Sequence, residues 1–212
     1  MKLAGGMGMQ QEKIYYSEAA FEVIARQVLC EYDDKIYFGA PQAVPVEDII
    51  EKLGLNLGYQ YIRKDGRILG KTIFEDGLDI VWDMDEQQYI LLPVKAGTII
   101  IDASLCEDEN NFGRLRFTCA HELAHWLLHK SIFDKLSEDT DVELMTEECG
   151  LEVQANILAS ALLMPLPQVK KCFYRLYAEG IRERFTFIEK MADLFQVSCQ
   201  AMRIKLDKHR LV

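Results

Sequence analysis

Three of the four histidines in this chain lie within one short segment, RFTCAHELAHWLLH, at residues 116–129. They are His121, His125 and His129, so each stands four residues from the next. Positions four apart lie on one face of an α-helix, about 6 Å from each other along its axis. The opposite face carries apolar residues, namely Ala120, Leu123, Ala124 and Leu127. The segment therefore predicts a helix that buries one face and presents imidazoles on the other.

Within this segment, His121, Glu122 and His125 form the pattern HExxH. Two imidazoles one helical turn apart can converge on a single metal ion. A glutamate beside the first histidine can reach a water molecule bound to that ion. The pattern therefore predicts a Zn²⁺ site with Glu122 as the general base. The alternative is a chance match on a surface helix, because HExxH specifies only three residues.

A catalytic zinc ion keeps three protein ligands and one open position. The segment GLEVQANILASALLMP predicts a second helix, and it carries Glu152, 27 residues after His125. That separation leaves room for a connecting loop and a return helix, so Glu152 is the predicted third ligand. Asn156 lies one turn further on the same face, where it can hydrogen-bond a ligand. The alternative is an ordinary solvated glutamate on an amphipathic helix.

His129 requires a different interpretation from the other two histidines. It stands eight residues after His121, which is about 12 Å along the axis of a helix. Three imidazoles spread over that length cannot all bind one tetrahedral zinc ion. We expect His129 to lie near the helix C-terminus, where the helix dipole favours a partly protonated imidazole.

Apolar periodicity assigns the remaining elements. It predicts a helix at 17–32 with Ser17 as its N-cap, and a short helix between Pro45 and Gly54. Five strands are predicted to form one small antiparallel or mixed sheet, at 55–62, 67–75, 78–83, 88–94 and 97–103. The HExxH helix spans 112–130, the Glu152 helix spans 147–164, and two or three further helices occupy 168–209. This order predicts the α+β class.

Charge is distributed unevenly along the chain. Residues 168–212 contain ten Lys and Arg against five Asp and Glu, whereas residues 1–167 contain 14 against 29. The change falls at the segment MPLPQ, where two prolines interrupt a helical pattern. We therefore predict a flexible tail at 1–10, a domain at 11–167 that contains HExxH, and a C-terminal helical subdomain at 168–212. The overall net charge of −10 argues against nonspecific nucleic-acid binding by the whole protein.

The basic C-terminal part resembles a helix-turn-helix. Residues 184–206 predict two helices that separate at Val197 and Ser198, with Thr186 and Glu189 as a capping box. Because no glycine forms the turn and the rest of the chain is acidic, we expect this pair to pack on the core. Direct DNA binding through these helices is the alternative.

The composition predicts a cytoplasmic protein. No apolar run is long enough to span a membrane, and the segment MKLAGGMGMQ has no apolar core of a secretory signal. The six cysteines form no CxxC pair. We interpret them as free core thiols in a reducing compartment.

Three smaller features keep alternatives open. The segment IIID at 99–102 is either an edge strand that pairs with an extended substrate or an interior core strand. The acidic run at 134–148 is a solvated loop, a cover over a cleft, or an attractor for a basic partner. A hydrolase also needs a donor that stabilises its transition state, and the candidates are Tyr174, Tyr177 and His129.

The two motifs RFTCAHELAHWLLH and ExxANxxAxxLLMP, at 116–129 and 152–165, resemble the ImmA/IrrE family of metallopeptidases. The upstream strand GTIIIDASL is also similar. The resemblance implies a zincin-like core, zinc ligands at His121, His125 and Glu152, and a catalytic base at Glu122. Leu158 stands where an aromatic residue is frequent, which changes the core and leaves the chemistry untouched.

Some members of this family are regulatory proteases that cut a DNA-binding repressor, often one encoded on a mobile element. The resemblance therefore implies a zinc-dependent metalloendopeptidase whose substrate is a repressor. The acidic charge of residues 1–167 favours a basic protein substrate. The alternative is a DNA- or partner-binding transcriptional regulator with a structural or vestigial zinc site.

Overall fold

The computed structural model describes residues 17–136 and 148–212. The predicted tail at 1–10 and residues 137–147 of the acidic run lie outside these ranges. The helices are α1 (Glu18–Phe38), α2 (Val46–Lys52), α3 (Phe112–Leu136), α4 (Glu148–Leu163), α5 (Leu166–Ala178), α6 (Arg184–Phe195) and α7 (Cys199–Lys208). The strands are β1 (Asn56–Gln60), β2 (Gly70–Ile73), β3 (Gly77–Asp83), β4 (Gln88–Val94) and β5 (Thr98–Asp102). This order confirms the α+β class.

The strands form two sheets, so the prediction of a single sheet is wrong. One sheet has three strands in the order β1-β5-β2, with β1 and β5 parallel and β2 antiparallel to β5. The other is the hairpin β3-β4. Hairpin pairing is local, whereas the β1-β5 pairing joins strands about 40 residues apart in sequence. Alternating apolar residues predict a strand without specifying which partner it takes.

The segment 99–102 belongs to the central strand β5, so the edge-strand interpretation is wrong and the interior one is right. Strands β1 and β2 occupy its two sides. Ile99, Ile100 and Ile101 are buried on both faces of the sheet. The edge strand on the side of α3 is β2, which packs directly against that helix.

Helices α3 and α4 pack against each other, and both bury small side chains. Ala120 and Ala124 of α3 and Ala155 and Ala159 of α4 are completely buried. Alanines at such positions let helix backbones approach each other. Leu158 is also fully buried, as expected of a core residue. Helices α5 to α7 contribute side chains to the same core, and the predicted boundary at 167/168 stays a prediction.

The C-terminal helices break where the sequence predicts. Gln196 ends α6 in the left-handed conformation, with φ 53° and ψ 50°, a position that glycine more often occupies. Ser198 caps α7 by accepting a hydrogen bond from Ala201 N. The predicted capping box of α6 is wrong: the helix begins at Arg184 after Glu183, and no side chain caps it. Thr186 consequently lies inside the first turn.

Two further expectations need correction. Helix α3 continues to Leu136, so His129 does not lie near a helix C-terminus. Among the five cysteines that the structure describes, all are free, but Cys106 and Cys199 are exposed and are not core thiols. Both stand at helix ends, where an apolar pattern does not ensure burial. No helix in the described ranges is both long and apolar enough to cross a bilayer.

Candidate metal centre

Helices α3 and α4 bring the three predicted ligands together. His121 Nε2 lies 3.1 Å from Glu152 Oε2, and His125 Nε2 lies 3.1 Å from Glu152 Oε1. The two Nε2 atoms are 3.0 Å apart. The helical turn between positions 121 and 125 aligns the imidazoles, and the packing of α4 against α3 brings Glu152 to them.

The donor set fits a tetrahedral zinc ion. Zinc–nitrogen and zinc–oxygen bonds of about 2.0–2.1 Å in tetrahedral geometry place neighbouring donors roughly 3.3 Å apart. The three separations here are 3.0 to 3.1 Å. Imidazole with carboxylate suits zinc, whereas magnesium and calcium select oxygen donors. The geometry is therefore that of three protein ligands facing one common point.

The cluster is buried on the α3 side and open on the α4 side. The side chains of His121 and His125 are 17% and 14% exposed, whereas that of Glu152 is 57% exposed. Burial, followed by the charges that His121 and His129 would carry, lowers the pKa of His125 to about 3. A neutral imidazole retains the lone pair that a metal ligand must offer.

In both His121 and His125, the Nδ1 atom contacts another side chain. His121 Nδ1 lies 3.2 Å from Asn156 Oδ1, so Asn156 contacts one of the predicted ligands. His125 Nδ1 lies 3.1 Å from His129 Nδ1. Such contacts orient metal ligands and select their tautomer.

His129 lies behind His125, away from the open side of the cluster. Its side chain is fully buried, and its Nε2 lies 3.4 Å from Gln154 Oε1. Burial lowers its pKa, which opposes the protonation expected from a position near a helix C-terminus. With both nitrogens engaged inside the protein, His129 does not face a substrate and is no longer a candidate transition-state donor.

Glu122 is buried next to the cluster and is held by a threonine. Its side chain is 7% exposed. The Thr72 hydroxyl lies 2.7 Å from Glu122 Oε2 and 2.9 Å from its backbone oxygen. Burial raises the pKa of Glu122 to about 7, Thr72 opposes this rise, and the charge of Glu152 adds to it. A carboxyl group that titrates near neutral pH is suited to general-base chemistry.

Strand β2 approaches Glu122 more closely than any side chain would permit. A Cβ atom at Gly70 would lie 2.6 Å from Glu122 Oε1 and 2.7 Å from Thr118 Cγ2. Gly70 and Thr72 are two residues apart, so both face α3. Neither residue was predicted from the sequence. The available signal was a glycine within a predicted strand, which often marks a close approach of the backbone.

Tyr174 and Tyr177 are exposed on α5. Their ring contacts are with Phe173 and, for Tyr177, with Arg182. Neither contact connects them to the cluster, and the identity of the transition-state donor stays a prediction.

Comparison with known proteins gives one family match. Residues 96–207 match the model of peptidase family M78, described as an IrrE N-terminal-like domain. The matched range is more than half of the chain and contains α3 and α4. No curated protein matches the chain significantly.

Among solved structures, a Mycobacterium tuberculosis transcriptional regulator is similar to this chain. The two are 13% identical, with a TM-score of 0.44. The match covers 87% of this chain and 45% of the regulator. The chain therefore spans less than half the length of that protein.

Proposed function

This chain belongs to the IrrE N-terminal-like peptidase family, and from that premise we propose that it is a zinc-dependent endopeptidase. Its metal ligands are His121, His125 and Glu152, and its general base is Glu122. The observation that carries the proposal is the convergence of the three donor groups at 3.0 to 3.1 Å. A carboxyl group that titrates near neutral pH lies directly beside them on α3.

When bound, the zinc ion would supply Lewis acidity, which polarises the scissile carbonyl and makes water more acidic. Glu122 takes the proton of the attacking water and then passes it to the leaving amine. The Thr72 hydroxyl holds one carboxyl oxygen of Glu122 and so limits its rotation. The apolar surroundings that raise the pKa of Glu122 also strengthen its basicity once it is ionised.

Strand β2 is the element along which we expect the substrate to bind. It is an edge strand of the three-stranded sheet, and Gly70 and Thr72 place it against Glu122. An extended peptide can add to such an edge through main-chain hydrogen bonds. This arrangement would bring its scissile carbonyl beside the general base. We therefore assign to β2 the pairing with an extended substrate that the sequence suggested for residues 99–102.

The substrate that we propose is a basic, DNA-binding repressor, cut at few sites. Residues 1–167 carry 14 Lys and Arg against 29 Asp and Glu. DNA-binding proteins carry positive charge that neutralises phosphates. Opposite net charges steer two proteins towards each other, and salt screens this attraction.

The test is to incubate the protein with a panel of candidate repressors and with unfolded casein over a salt series. We expect cleavage of one repressor at few sites, with kcat/KM decreasing as salt increases. Chelation should abolish cleavage, and added Zn²⁺ should restore it. Indiscriminate digestion of casein, or cleavage that survives complete metal removal, would contradict the proposal.

The alternative function, a DNA-binding regulator, makes a different prediction in the same assay. It requires salt-sensitive binding to duplex DNA without any turnover of protein. On α7, Met202, Lys205 and Leu206 are buried in the protein. Packing of the helix on the core accounts for these residues without DNA.

A further inference from the structure

A series of hydrogen-bonding groups connects the candidate metal ligand His125 to the buried His129 and then to Gln154 on α4. It starts at His125 Nδ1, passes through both ring nitrogens of His129, and reaches Gln154 Oε1. The two contacts measure 3.1 Å and 3.4 Å. We infer that His129 and Gln154 are positioning residues that fix the metal-binding tautomer of His125. This inference rests on the proposed metal site.

The direction of each hydrogen bond follows from the chemistry of imidazole. If His125 binds a metal through Nε2, its proton must be on Nδ1. That proton can be donated only to an unprotonated His129 Nδ1, so the proton of His129 is on Nε2. His129 Nε2 then donates to the carbonyl oxygen of Gln154. Gln154 thus sets the orientation of His129, and His129 sets that of His125.

The hydrogen-bond partners of the two proposed ligand histidines differ in their solvent exposure. Asn156, the partner of His121, is exposed, whereas His129, the partner of His125, is completely buried. Water can replace a lost hydrogen bond at an exposed position, but it has no access to a buried one without a cavity. Loss of the acceptor at position 129 should therefore weaken metal binding more than loss of the acceptor at position 156.

His129 is also a different kind of partner from those usual for metal-binding histidines. The common partners are carboxylates, backbone carbonyls and water. A neutral imidazole accepts the same proton without adding a further negative charge to a site that already contains Glu122 and Glu152. The regular four-residue spacing of the three histidines places it there, because it sets His129 one turn below His125.

The test measures the dissociation constant of Zn²⁺ by competition with a chromogenic chelator. His129→Leu fills the site but offers no acceptor, whereas His129→Asn keeps an acceptor near the position of Nδ1. We expect zinc to bind about 10–100-fold more weakly to His129→Leu, and His129→Asn to recover most of this loss. Asn156→Leu should lose less than His129→Leu, and Gln154→Leu should show a measurable loss.

Leu128→Ala is the matched control, because Leu128 is a buried neighbour on the same helix. It should destabilise the fold while leaving the zinc affinity of the folded protein unchanged. The visible spectrum of Co²⁺-loaded protein gives a second readout, since it reports ligand orientation. It should change in His129→Leu and not in Leu128→Ala. If His129→Leu does not fold, Gln154→Leu and His129→Asn still provide the measurement.

The inference is overturned if His129→Leu binds Zn²⁺ as tightly as the unaltered protein. It is also overturned if Leu128→Ala and His129→Leu weaken zinc binding equally, because packing alone then explains the loss. Either result leaves the proposed function standing when the unaltered protein binds zinc and cleaves protein. Absence of zinc binding by the unaltered protein overturns both proposals.

Discussion

The α1–α7 and α3–α4 interfaces both contain titratable groups, and they differ in what those groups require. Between α1 and α7, Lys205 is 5% exposed and donates to Glu22 Oε1 at 2.9 Å. The other oxygen of Glu22 accepts a hydrogen bond from Leu166 N at 3.2 Å. The positive charge of Lys205 and the negative charge of Glu22 compensate each other.

Between α3 and α4, the groups are two imidazoles and a carboxylate, all of which can donate a lone pair to a metal ion. His121, His125 and Glu152 direct lone pairs at a common point, and none of them brings a permanent positive charge. The difference distinguishes a polar cluster whose charges compensate each other from one that could hold a cation. The α1–α7 interface is complete within the protein, whereas the α3–α4 interface has an excess of acceptors that a cation would satisfy.

Removal of the general base should have the largest effect. Glu122→Gln keeps the shape of the side chain but cannot accept a proton. Cleavage should decrease by about 10²–10⁴-fold while zinc remains bound. Steady-state kinetics and metal analysis check this, with Glu51→Gln, at an exposed position of α2, as the control. A Gln variant with full activity would show that Glu122 is only a flanking residue of the helix.

Disruption of the α1–α7 pair should affect stability and leave the metal site unchanged. Lys205→Met leaves Glu22 without its cation, which should cost about 3 kcal/mol of unfolding free energy. This value is at the low end for buried pairs, because the Glu22 side chain is 22% exposed. Urea unfolding measures the loss.

The double variant Lys205→Met with Glu22→Leu is the control for this prediction. It removes both charges, and we expect it to regain most of the lost stability. A double variant as unstable as Lys205→Met alone would mean that α7 depends on something other than charge compensation. Zinc affinity should be the same in all folded forms.

The burial of Glu122 predicts a pH-dependent stability difference in the metal-free protein. Its pKa is raised from 4.5 to about 7, so ionisation is less favourable in the folded state than in the unfolded state. Its contribution to stability is present below pH 4.5 and is lost as the pH rises towards 7. Glu122→Gln has no such loss.

The stability of Glu122→Gln relative to the unaltered protein should therefore increase over this pH range, by up to about 3 kcal/mol. Chemical unfolding in the presence of a chelator, from pH 4 to pH 8, measures the difference. A constant difference across this range would show that Glu122 ionises normally in the folded protein.

The smallest expected effect concerns the N-cap of α7. Ser198 accepts from Ala201 N at 3.1 Å, and Ser198→Ala should cost about 1 kcal/mol. Ser198→Gly should reduce the free energy of unfolding by only about a few tenths of a kcal/mol. Thermal unfolding resolves the two, and zinc affinity should not change. If Ser198→Ala also weakened zinc binding, the two interfaces would be coupled.

Local patterns in the sequence predicted the helices well and the sheet poorly. The spacing of His121 and His125 specifies their common face, because one helical turn connects them covalently. Strand pairing has no such local rule. The sequence therefore indicated the strands at 78–83 and 88–94 but not their separation into a hairpin, and it left the position of 99–102 open.

The position of His129 shows the same limit within a single helix. Its spacing places it on the histidine face, which the sequence alone determines. Its burial, which lowers its pKa, depends on the elements packed around it, whereas the contact with Gln154 of α4 favours protonation. Both effects are properties of the packed protein, and the expected position of His129 near a helix C-terminus was wrong because α3 continues to Leu136.

By itself the sequence determined which groups share a helix face: the imidazoles of His121 and His125, with Glu122 beside them. Only the tertiary structure decided that Glu152 reaches this pair at 3.1 Å and that Thr72 of the edge strand holds Glu122. The reason is that helical geometry acts over three or four residues of covalently connected chain. Contacts between elements separated by about 30–50 residues depend instead on which apolar faces are buried together, as the alanines of α3 and α4 are here.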